Sequence, residues 1–190
     1  VLRMLDGLRA EGEAPVLVLG QGEMGRTTAR TLAQAGFVVS GWSRGGSAAE
    51  PGVKSLAGDQ ALWQALPQTQ VLINLLPLTP HTLGLLNAPL FATLPRGAGV
   101  VNLARGRHLV DDDLLAALDS GQVGHAVLDV FHAEPLPTGH AFWSHPGVTL
   151  LPHVAAQTDA RSAAAVAVAN LRALRDGAPL RHRVEPTRGY

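Results

Sequence analysis

The 190-residue sequence contains no cysteine, which excludes disulfide bonds, thiolate nucleophiles and cysteine-ligated zinc. It also has no excess of either charge: 15 basic and 15 acidic residues give a formal net charge of zero. Binding to nucleic acid or to an anionic membrane rests on clustered positive charge, and the sequence has no basic block. We therefore predict a cytoplasmic protein that binds small molecules, with no nucleic acid and no membrane among its partners.

A long apolar run is missing as well. Between Gln60 and Pro95 there is no Asp, Glu, Lys or Arg, but prolines interrupt this stretch, and no run reaches the ~18 apolar residues that a membrane span needs. We interpret the stretch as buried strand and interface. With 46% hydrophobic residues, the chain can bury a core of its own, as a domain of about 100–200 residues does.

Apolar, β-branched runs alternate with helical patterns along the chain. The predicted strands are Val16–Leu19, Phe37–Ser40, Val53–Ser55, Val71–Leu75, Gly99–Leu103, His125–Asp129 and Val148–Leu151, and the predicted helices are Met24–Ala35, Gln60–Leu66, Asn87–Leu94, Asp111–Ser120 and a long helix from a Thr158 cap to near Gly177. Such alternation with short links indicates parallel strands joined by right-handed crossovers. We predict an α/β fold with a Rossmann-type, doubly wound parallel sheet in residues 16–155. Residues 1–15 would form a helix or arm, and residues 156–190 a C-terminal helix and tail.

A glycine-rich loop follows the first predicted strand. The segment VLVLGQGEMGRTTA places Gly20, Gly22 and Gly25 in G-x-G-x-x-G spacing between a strand and a helix. The first glycine permits a tight turn, the second lets the backbone approach a pyrophosphate, and the third lets helix and strand pack closely. The pattern indicates a dinucleotide site; a purely structural glycine turn is the alternative. Glu23 fits a phosphate loop only if its side chain points to solvent.

The end of the second strand bears on the choice of cofactor. NAD sites usually carry Asp or Glu about 20 residues after the loop, on the ribose 2′-hydroxyl. Here the segment SGWSR supplies Ser43 and Arg44 instead. A hydroxyl and a guanidinium can bind a 2′-phosphate that a carboxylate would repel. We predict NADP(H) as the preferred cofactor and NAD(H) as the alternative, while an ordinary solvated arginine is the competing interpretation of Arg44.

Three ordered motifs past residue 70 are more specific. The segments LINLLPLTPHT, VVNLARGRHLVDDDLLAALDSGQVGHAVLDVFHAEPLP and WSHPGVTLLPHVAA together resemble the NAD(P)-dependent D-2-hydroxyacid dehydrogenases, most closely the bacterial glyoxylate/hydroxypyruvate reductase A type. The resemblance runs from about Val16 to the closing RGY. It implies that the arginine of NLARG, the glutamate of AEP and the histidine of PHVA are catalytic, and these are Arg105, Glu134 and His153.

The resemblance also implies a cofactor site. Asp129, the aspartate of LDVF, would hold the nicotinamide carboxamide. The expected cofactor-binding residues are Gly20, Gly22, Glu23, Met24, Gly25, Ser43, Arg44, Leu76, Pro77, Thr82, Leu103, Ala104, Arg105, Asp129, His153 and Ala155. No metal is expected.

The three catalytic residue types suit the reduction of a 2-oxo acid. A hydride on the carbonyl carbon leaves oxygen charge that must be protonated, and an imidazole with an ordinary pKa of about 6.5 can supply the proton. A neighbouring carboxylate favours the protonated ring and fixes its orientation, which is the role expected of Glu134 beside His153. Arg105 offers a planar fork of donors that can polarise the ketone and hold the substrate carboxylate. All three follow predicted strands, at the edge where ligands bind in open α/β sheets.

Simpler interpretations compete at several positions. A structural histidine or a metal ligand is the alternative for His153, although no H-x-x-x-H or carboxylate cluster accompanies it. Asp111–Asp113 are expected to cap a helix and complement its dipole rather than bind a metal. Trp42 and Trp143 either line the cofactor site or pack. The histidines without ligand spacing are interpreted as surface or packing residues: His108, His125, His132, His140 and His145.

The sequence differs from the family in the domains that it covers. Family members carry an N-terminal flavodoxin-like substrate domain whose loop amides bind the substrate carboxylate, and this domain is largely absent here. The chain begins at Val1 without methionine, so we expect a segment to precede it. We expect the chain alone to bind dinucleotide but to turn over poorly, residues 156–190 to return to the absent domain, and the full-length protein to be a homodimer.

Two functions are compatible with these residues. The first is NADPH-dependent reduction of glyoxylate to glycolate, or of hydroxypyruvate to glycerate, with His153 as the general acid. The second is a non-enzymatic dinucleotide-sensing regulator, like the transcriptional corepressors of this family. The catalytic residues do not separate the two, but the compact ending and the lack of extra interaction segments favour the enzyme.

Overall fold

A computed structural model describes residues 14–48 and 50–183. Residues 1–13 of the predicted N-terminal helix or arm and residues 184–190 of the predicted tail lie outside the described residues. The chain divides into two compact units, and the boundary falls between His153 and Val154.

The first unit is built on a seven-stranded sheet. Its strands are β1 (Pro15–Leu19), β2 (Val38–Ser43), β3 (Val53–Ala57), β4 (Val71–Asn74), β5 (Ala98–Asn102), β6 (Val123–Leu128) and β7 (Val148–Leu150), and its helices are α1 (Glu23–Gln34), α2 (Gly58–Ala65), α3 (Ala88–Thr93) and α4 (Asp111–Asp119). The strand order is β3-β2-β1-β4-β5-β6-β7, with every pair parallel. The chain order reverses between β1 and β4, so the predicted doubly wound parallel sheet is confirmed.

Both faces of the sheet are covered. Alternate residues of β1 enter two different hydrophobic clusters, since Leu17 and Leu19 belong to one and Val16 and Val18 to the other. Every residue of β4 and of β5 is buried. Continuous apolar runs of this kind are typical of parallel strands with helices on either side.

Several predicted boundaries are wrong by a few residues. β2 continues to Ser43 rather than Ser40, because Gly41 and Trp42 pair with both β1 and β3 despite interrupting the β-branched pattern. Asp111 is the first residue of α4 rather than its cap; Val110 occupies the cap position without a side-chain bond. Three acidic residues nevertheless fill the first turn, where they complement the helix dipole.

The second unit contains one long helix, α5 (Ala160–Arg175). Asp159, not the predicted Thr158, caps it by accepting a 2.8 Å bond from the Ser162 N–H. The Asn170 side chain then bonds the backbone N–H and carbonyl of Arg181, at 2.8 and 3.1 Å, and so ties the following segment to the helix. In residues 14–48 and 50–183, no helix combines the length and apolar content that spanning a bilayer requires.

Candidate active site

The carboxyl ends of β1, β4, β5 and β6 meet at one edge of the sheet, because the strands are parallel. Each end is followed by a loop with candidate residues: 20–25 after β1, 75–82 after β4, 103–109 after β5 and 129–134 after β6. Ser43 and Arg44 lie at the end of β2, and His153 follows β7, so the site is assembled from six segments that are far apart in sequence.

The central contact of the site joins the two catalytic candidates Glu134 and His153. The His153 Nδ1 atom lies 2.7 Å from Glu134 Oε2, and the Phe131 N–H donates to the other carboxylate oxygen at 2.9 Å. The carboxylate is thus held at both oxygens, and the ring at one nitrogen. The side chain of His153 is 52% exposed, and the bond to Glu134 uses Nδ1 rather than Nε2. His153 has a φ of +55°, the left-handed region that residues other than glycine rarely adopt.

The charge state of Glu134 follows from these contacts. Burial favours the neutral carboxyl, but the hydrogen bonds from His153 and the Phe131 N–H, with the charges of His153 and Arg105, outweigh it and lower the pKa of Glu134 below its ordinary value of 4.5. The carboxylate is therefore ionised at neutral pH. The Arg105 charge is one of the causes of this lowering, so the guanidinium acts electrostatically on the Glu134 carboxylate.

A glycine brings the Arg105 loop against the Glu134 loop. Arg105 follows β5, and its Nη1 donates to the Ala104 carbonyl at 2.6 Å. The next residue, Gly106, packs so closely that a Cβ placed on it would lie 1.9 Å from the Phe131 carbonyl carbon. Only glycine permits this approach. Arg105 was expected from its motif, whereas the need for glycine at position 106 was not.

Two buried asparagines organise the loops after β4 and β5, and sequence reasoning missed both. Asn74 and Asn102 are 1% and 0% exposed, and Asn74 Nδ2 donates to Asn102 Oδ1 at 3.0 Å. Asn74 Oδ1 accepts from the Leu76 N–H, while Asn102 accepts from the Ala104 N–H and donates to the Arg105 carbonyl. The signal was present in the sequence, since an amide ends each of two otherwise apolar strands.

The glycine loop has the geometry that its spacing predicts. Gly20 has a φ of +92°, and an added Cβ would lie 2.6 Å from the Leu75 carbonyl oxygen. At Gly25 an added Cβ would lie only 1.7 Å from the Gly20 carbonyl oxygen, so helix and strand meet there. At Gly22 there is nothing within 4 Å, so this glycine faces open space. Glu23 bonds Arg26 on its own helix at 2.8 Å and its side chain is 69% exposed, which meets the solvent-facing condition.

The second strand ends in residues suited to a phosphate. The Ser43 hydroxyl is buried and has no hydrogen-bond partner among residues 14–48 and 50–183. Arg44 follows directly and is exposed. A hydroxyl without a hydrogen-bond partner and an exposed guanidinium on the next residue are donor types that can bind an anion. Ser43 and Arg44 with the glycine loop thus fit a 2′-phosphorylated dinucleotide.

The other predicted residues divide between the site and the core. Leu76, Ala104 and Asp129 are buried in the loops at the sheet edge, and the Thr82 hydroxyl donates to the Pro77 carbonyl at 2.8 Å. Trp42 packs in the core with its Nε1 on the Gly58 carbonyl. Met24, Leu103 and Trp143 lie in the first unit, and Ala155 lies in the second.

Four other histidines bond structural partners. His132 and His140 lie 3.6 and 3.4 Å from Asp111, His145 lies 3.2 Å from Asp119, and His125 lies 2.8 Å from the Thr149 hydroxyl. Among the described residues, no group of three or more His, Cys, Asp or Glu side chains is placed to hold a metal ion. His108 differs from these four histidines in being fully buried.

Comparison with known proteins decides the family. Residues 6–155 match the family model described as the D-isomer specific 2-hydroxyacid dehydrogenase, NAD binding domain. The chain belongs to this family. It is 48% identical over 173 residues to glyoxylate/hydroxypyruvate reductase A of Yersinia enterocolitica, covering 91% of this chain and 55% of that protein. The chain thus spans about half the length of the curated relatives it matches.

Solved structures agree. A D-isomer specific 2-hydroxyacid dehydrogenase of Xanthobacter autotrophicus, crystallised with NADPH and MES, matches with a TM-score of 0.90 and 40% identity, covering 100% of this chain and 82% of that one. An NADPH-dependent glyoxylate/hydroxypyruvate reductase of Sinorhizobium meliloti, crystallised with NADP and sulfate, matches with a TM-score of 0.86 and 38% identity, covering 99% and 64%. The resemblance stated from the sequence motifs is confirmed.

Proposed function

We propose that this chain is the dinucleotide-binding and catalytic part of an NADPH-dependent reductase of small 2-oxo acids, namely glyoxylate and hydroxypyruvate. The observation that supports this most directly is the 2.7 Å bond between His153 Nδ1 and Glu134 Oε2, within reach of the Arg105 charge. The curated relatives at 48% and 50% identity are glyoxylate/hydroxypyruvate reductases. These activities belong to the relatives and are extended to this chain by the proposal.

Each residue has a defined part in the proposed reaction. A nicotinamide dinucleotide held by the glycine loop, Ser43, Arg44 and Asp129 would supply a hydride for the carbonyl carbon of the 2-oxo acid. His153 gives a proton from its Nε2 to the carbonyl oxygen, since its Nδ1 is committed to Glu134. Glu134 holds the ring orientation and stabilises the positive ring before transfer. Arg105 polarises the carbonyl and holds the substrate carboxylate, which lowers the energy of the developing oxyanion.

The proposed mechanism is tested in the full-length protein. Steady-state reduction of glyoxylate and hydroxypyruvate by NADPH is measured for the wild type and for His153→Gln, with His125→Gln as the matched control. We expect His153→Gln to lower kcat by about 10²–10⁴-fold, the usual contribution of a general acid. His125 lies on a strand and bonds Thr149, so its replacement should leave kcat unchanged. Full activity in His153→Gln would refute the assignment.

NADP(H) is the proposed cofactor. The unsatisfied Ser43 hydroxyl and Arg44 support it, and relatives from Xanthobacter and Sinorhizobium were crystallised with NADPH and NADP. Calorimetric titration of this chain with NADPH and with NADH tests the preference. Arg44→Gln should weaken NADPH binding and spare NADH binding, while Arg175→Gln, in the second unit, should change neither. Equal affinity for both cofactors in the wild type would contradict the preference.

We further propose that the full-length protein is a cytoplasmic homodimer, which light scattering of that protein tests. A regulator that senses dinucleotide without turnover is the alternative, and absence of turnover with every 2-oxo acid tried, despite tight NADPH binding, would support it.

A further inference from the structure

His108 lies between the two loops that the proposed function places on cofactor and substrate. It belongs to a short 3-10 helix, Gly106–His108, directly after Arg105. Its exposed fraction is 0%. Nδ1 of the ring lies 3.1 Å from the Arg105 carbonyl oxygen, and Nε2 lies 3.2 Å from the Pro77 carbonyl oxygen. One buried ring therefore contacts the backbone of both loops.

Neither carbonyl depends on His108 alone. The Pro77 carbonyl also accepts from the Thr82 hydroxyl at 2.8 Å, and the Arg105 carbonyl also accepts from Asn102 Nδ2 at 3.1 Å. The His108 backbone N–H also donates to the Arg105 carbonyl, at 3.2 Å, so that carbonyl has two donors besides the ring and the Pro77 carbonyl has one. Its removal would leave no buried carbonyl without a donor, so the main loss would be in the relative position of the loops rather than in satisfied polar groups.

The backbone around the ring is held independently. The Leu86 N–H donates to the His108 carbonyl at 2.9 Å, the Val110 N–H donates to the Leu86 carbonyl at 3.0 Å, and the Gly84 N–H donates to the Arg107 carbonyl at 3.0 Å. These bonds fix residues 107–110 against residues 84–86. None of these three bonds includes Pro77 or Arg105. The Asn74–Asn102 pair joins the two loops at the strand ends, and the Nε2 atom of His108 adds a contact farther out, at the Pro77 carbonyl.

We propose that His108 is a positioning residue: its neutral ring carries one N–H, and with that proton on Nε2 the ring donates to the Pro77 carbonyl and so holds the Arg105 loop in register with the Pro77 loop. The consequence for the reaction rests on the proposed function, because it assumes that residues 76–82 contact cofactor and that Arg105 contacts substrate. The link between the loops is a property of the protein without ligand. It can therefore be measured separately from cofactor binding.

The first experiment is hydrogen exchange of backbone amides in the ligand-free chain, comparing the wild type with His108→Phe, His108→Gln and the control His125→Gln. Phenylalanine keeps a ring but has no donor, whereas glutamine keeps an N–H donor on a side chain of similar reach. We expect exchange in both 76–82 and 103–106 to accelerate at least 10-fold in His108→Phe, and to return toward the wild-type rate in His108→Gln. His125→Gln should match the wild type.

Exchange in His108→Phe within two-fold of the wild type in both segments would overturn the proposal, as would equal acceleration in the phenylalanine and glutamine variants. Should His108→Phe fail to fold, the ring is observed directly in wild-type protein labelled with 15N-histidine. A His108 ring N–H protected from solvent exchange, with contacts to residues 77 and 105, supports the link; a ring with neither refutes it.

A second experiment connects the link to the reaction in the full-length protein. His108→Phe should lower kcat for glyoxylate at least 10-fold, because Arg105 is displaced, and His108→Gln should restore most of it. An unchanged kcat in His108→Phe would overturn the role in positioning. Failure of the wild type to bind NADPH or to turn over would refute the proposed function instead, and leave the exchange result to decide the link between the loops.

Discussion

Gly106 is in direct backbone contact with Phe131, and there is no room between them for a methyl group, since a Cβ on Gly106 would lie 1.9 Å from the Phe131 carbonyl carbon. Phe131 in turn donates its N–H to Glu134 at 2.9 Å. The loop of the candidate substrate-binding arginine is thereby pressed against the loop that orients the candidate acid. The relative positions of Arg105, Glu134 and His153 therefore depend on this contact between two backbones as well as on side-chain bonds.

Replacing Gly106 by alanine should therefore push the two loops apart. We expect Gly106→Ala to destabilise the chain by about 1–3 kcal/mol, the usual cost of overpacking, as measured by urea unfolding. Gly139→Ala is the matched control, because an added Cβ there has nothing within 4 Å. A Gly106→Ala chain as stable as Gly139→Ala would show that the loops can separate freely.

Substitutions at two glycines of the loop should distinguish residues needed for folding from residues needed for NADPH binding. At Gly25 a Cβ would lie 1.7 Å from the Gly20 carbonyl oxygen, so Gly25→Ala should lower both the free energy of unfolding and the affinity for NADPH. At Gly22 a Cβ meets nothing within 4 Å, so Gly22→Ala should fold normally. It should nevertheless weaken NADPH binding at least 10-fold, because the second glycine gives the pyrophosphate its access. Calorimetric titration and urea unfolding of both variants make the comparison. Unchanged affinity in Gly22→Ala would mean that the loop does not hold a pyrophosphate.

The contact between Glu134 and His153 predicts that the pKa of Glu134 changes when His153 is replaced. Burial raises the pKa of Glu134, but the bond from His153, the Phe131 N–H and the charges of His153 and Arg105 lower it further than burial raises it. His153→Ala removes one of these bonds and one charge, so the pKa of Glu134 should rise. NMR titration of the side-chain carboxyl carbons measures this, with His125→Ala as the control that should leave it unchanged. The same Glu134 pKa in all three proteins would contradict the observed geometry.

The sequence predicted the parts of this site that depend on local pattern. Strand and helix alternation indicated the parallel sheet, and the G-x-G-x-x-G spacing located the turn at Gly20. The motifs NLARG, AEP and PHVA indicated Arg105, Glu134 and His153 through the family resemblance. Such features are visible because each depends on residues close together in the chain.

Contacts between distant loops could not be predicted in the same way. Asn74 and Asn102 are 28 residues apart and pair only because β4 and β5 are neighbours in the sheet. His108 lies 31 residues from Pro77. Its backbone bonds Leu86, which belongs to a segment much earlier in the chain. In a single sequence, a polar residue at a strand end or a histidine in a loop has many solvated alternatives. Only the folded structure buries the side chain away from water, and burial then requires the side chain to bond a protein partner.

The buried His108 predicts how the stability of the chain depends on pH. Burial lowers the pKa of His108 from its ordinary value of 6.5, and the Arg105 charge acts in the same direction, although the carbonyls of Pro77 and Arg105 oppose both. The folded ring therefore stays neutral where the unfolded ring takes up a proton. Stability from this group is fully present above pH 6.5 and is lost as the pH falls from there through the lower folded pKa.

Urea unfolding between pH 7.5 and 5.5 tests this dependence. The wild type should lose stability as the pH falls, and His108→Gln, which cannot titrate, should lose less over the same range. Gln64→Ala, at an exposed position on α2, is the control and should parallel the wild type. If His108→Gln and the wild type gave parallel curves, the ring would be titrating equally in the folded and unfolded chains, and its burial between the two carbonyls would be wrong.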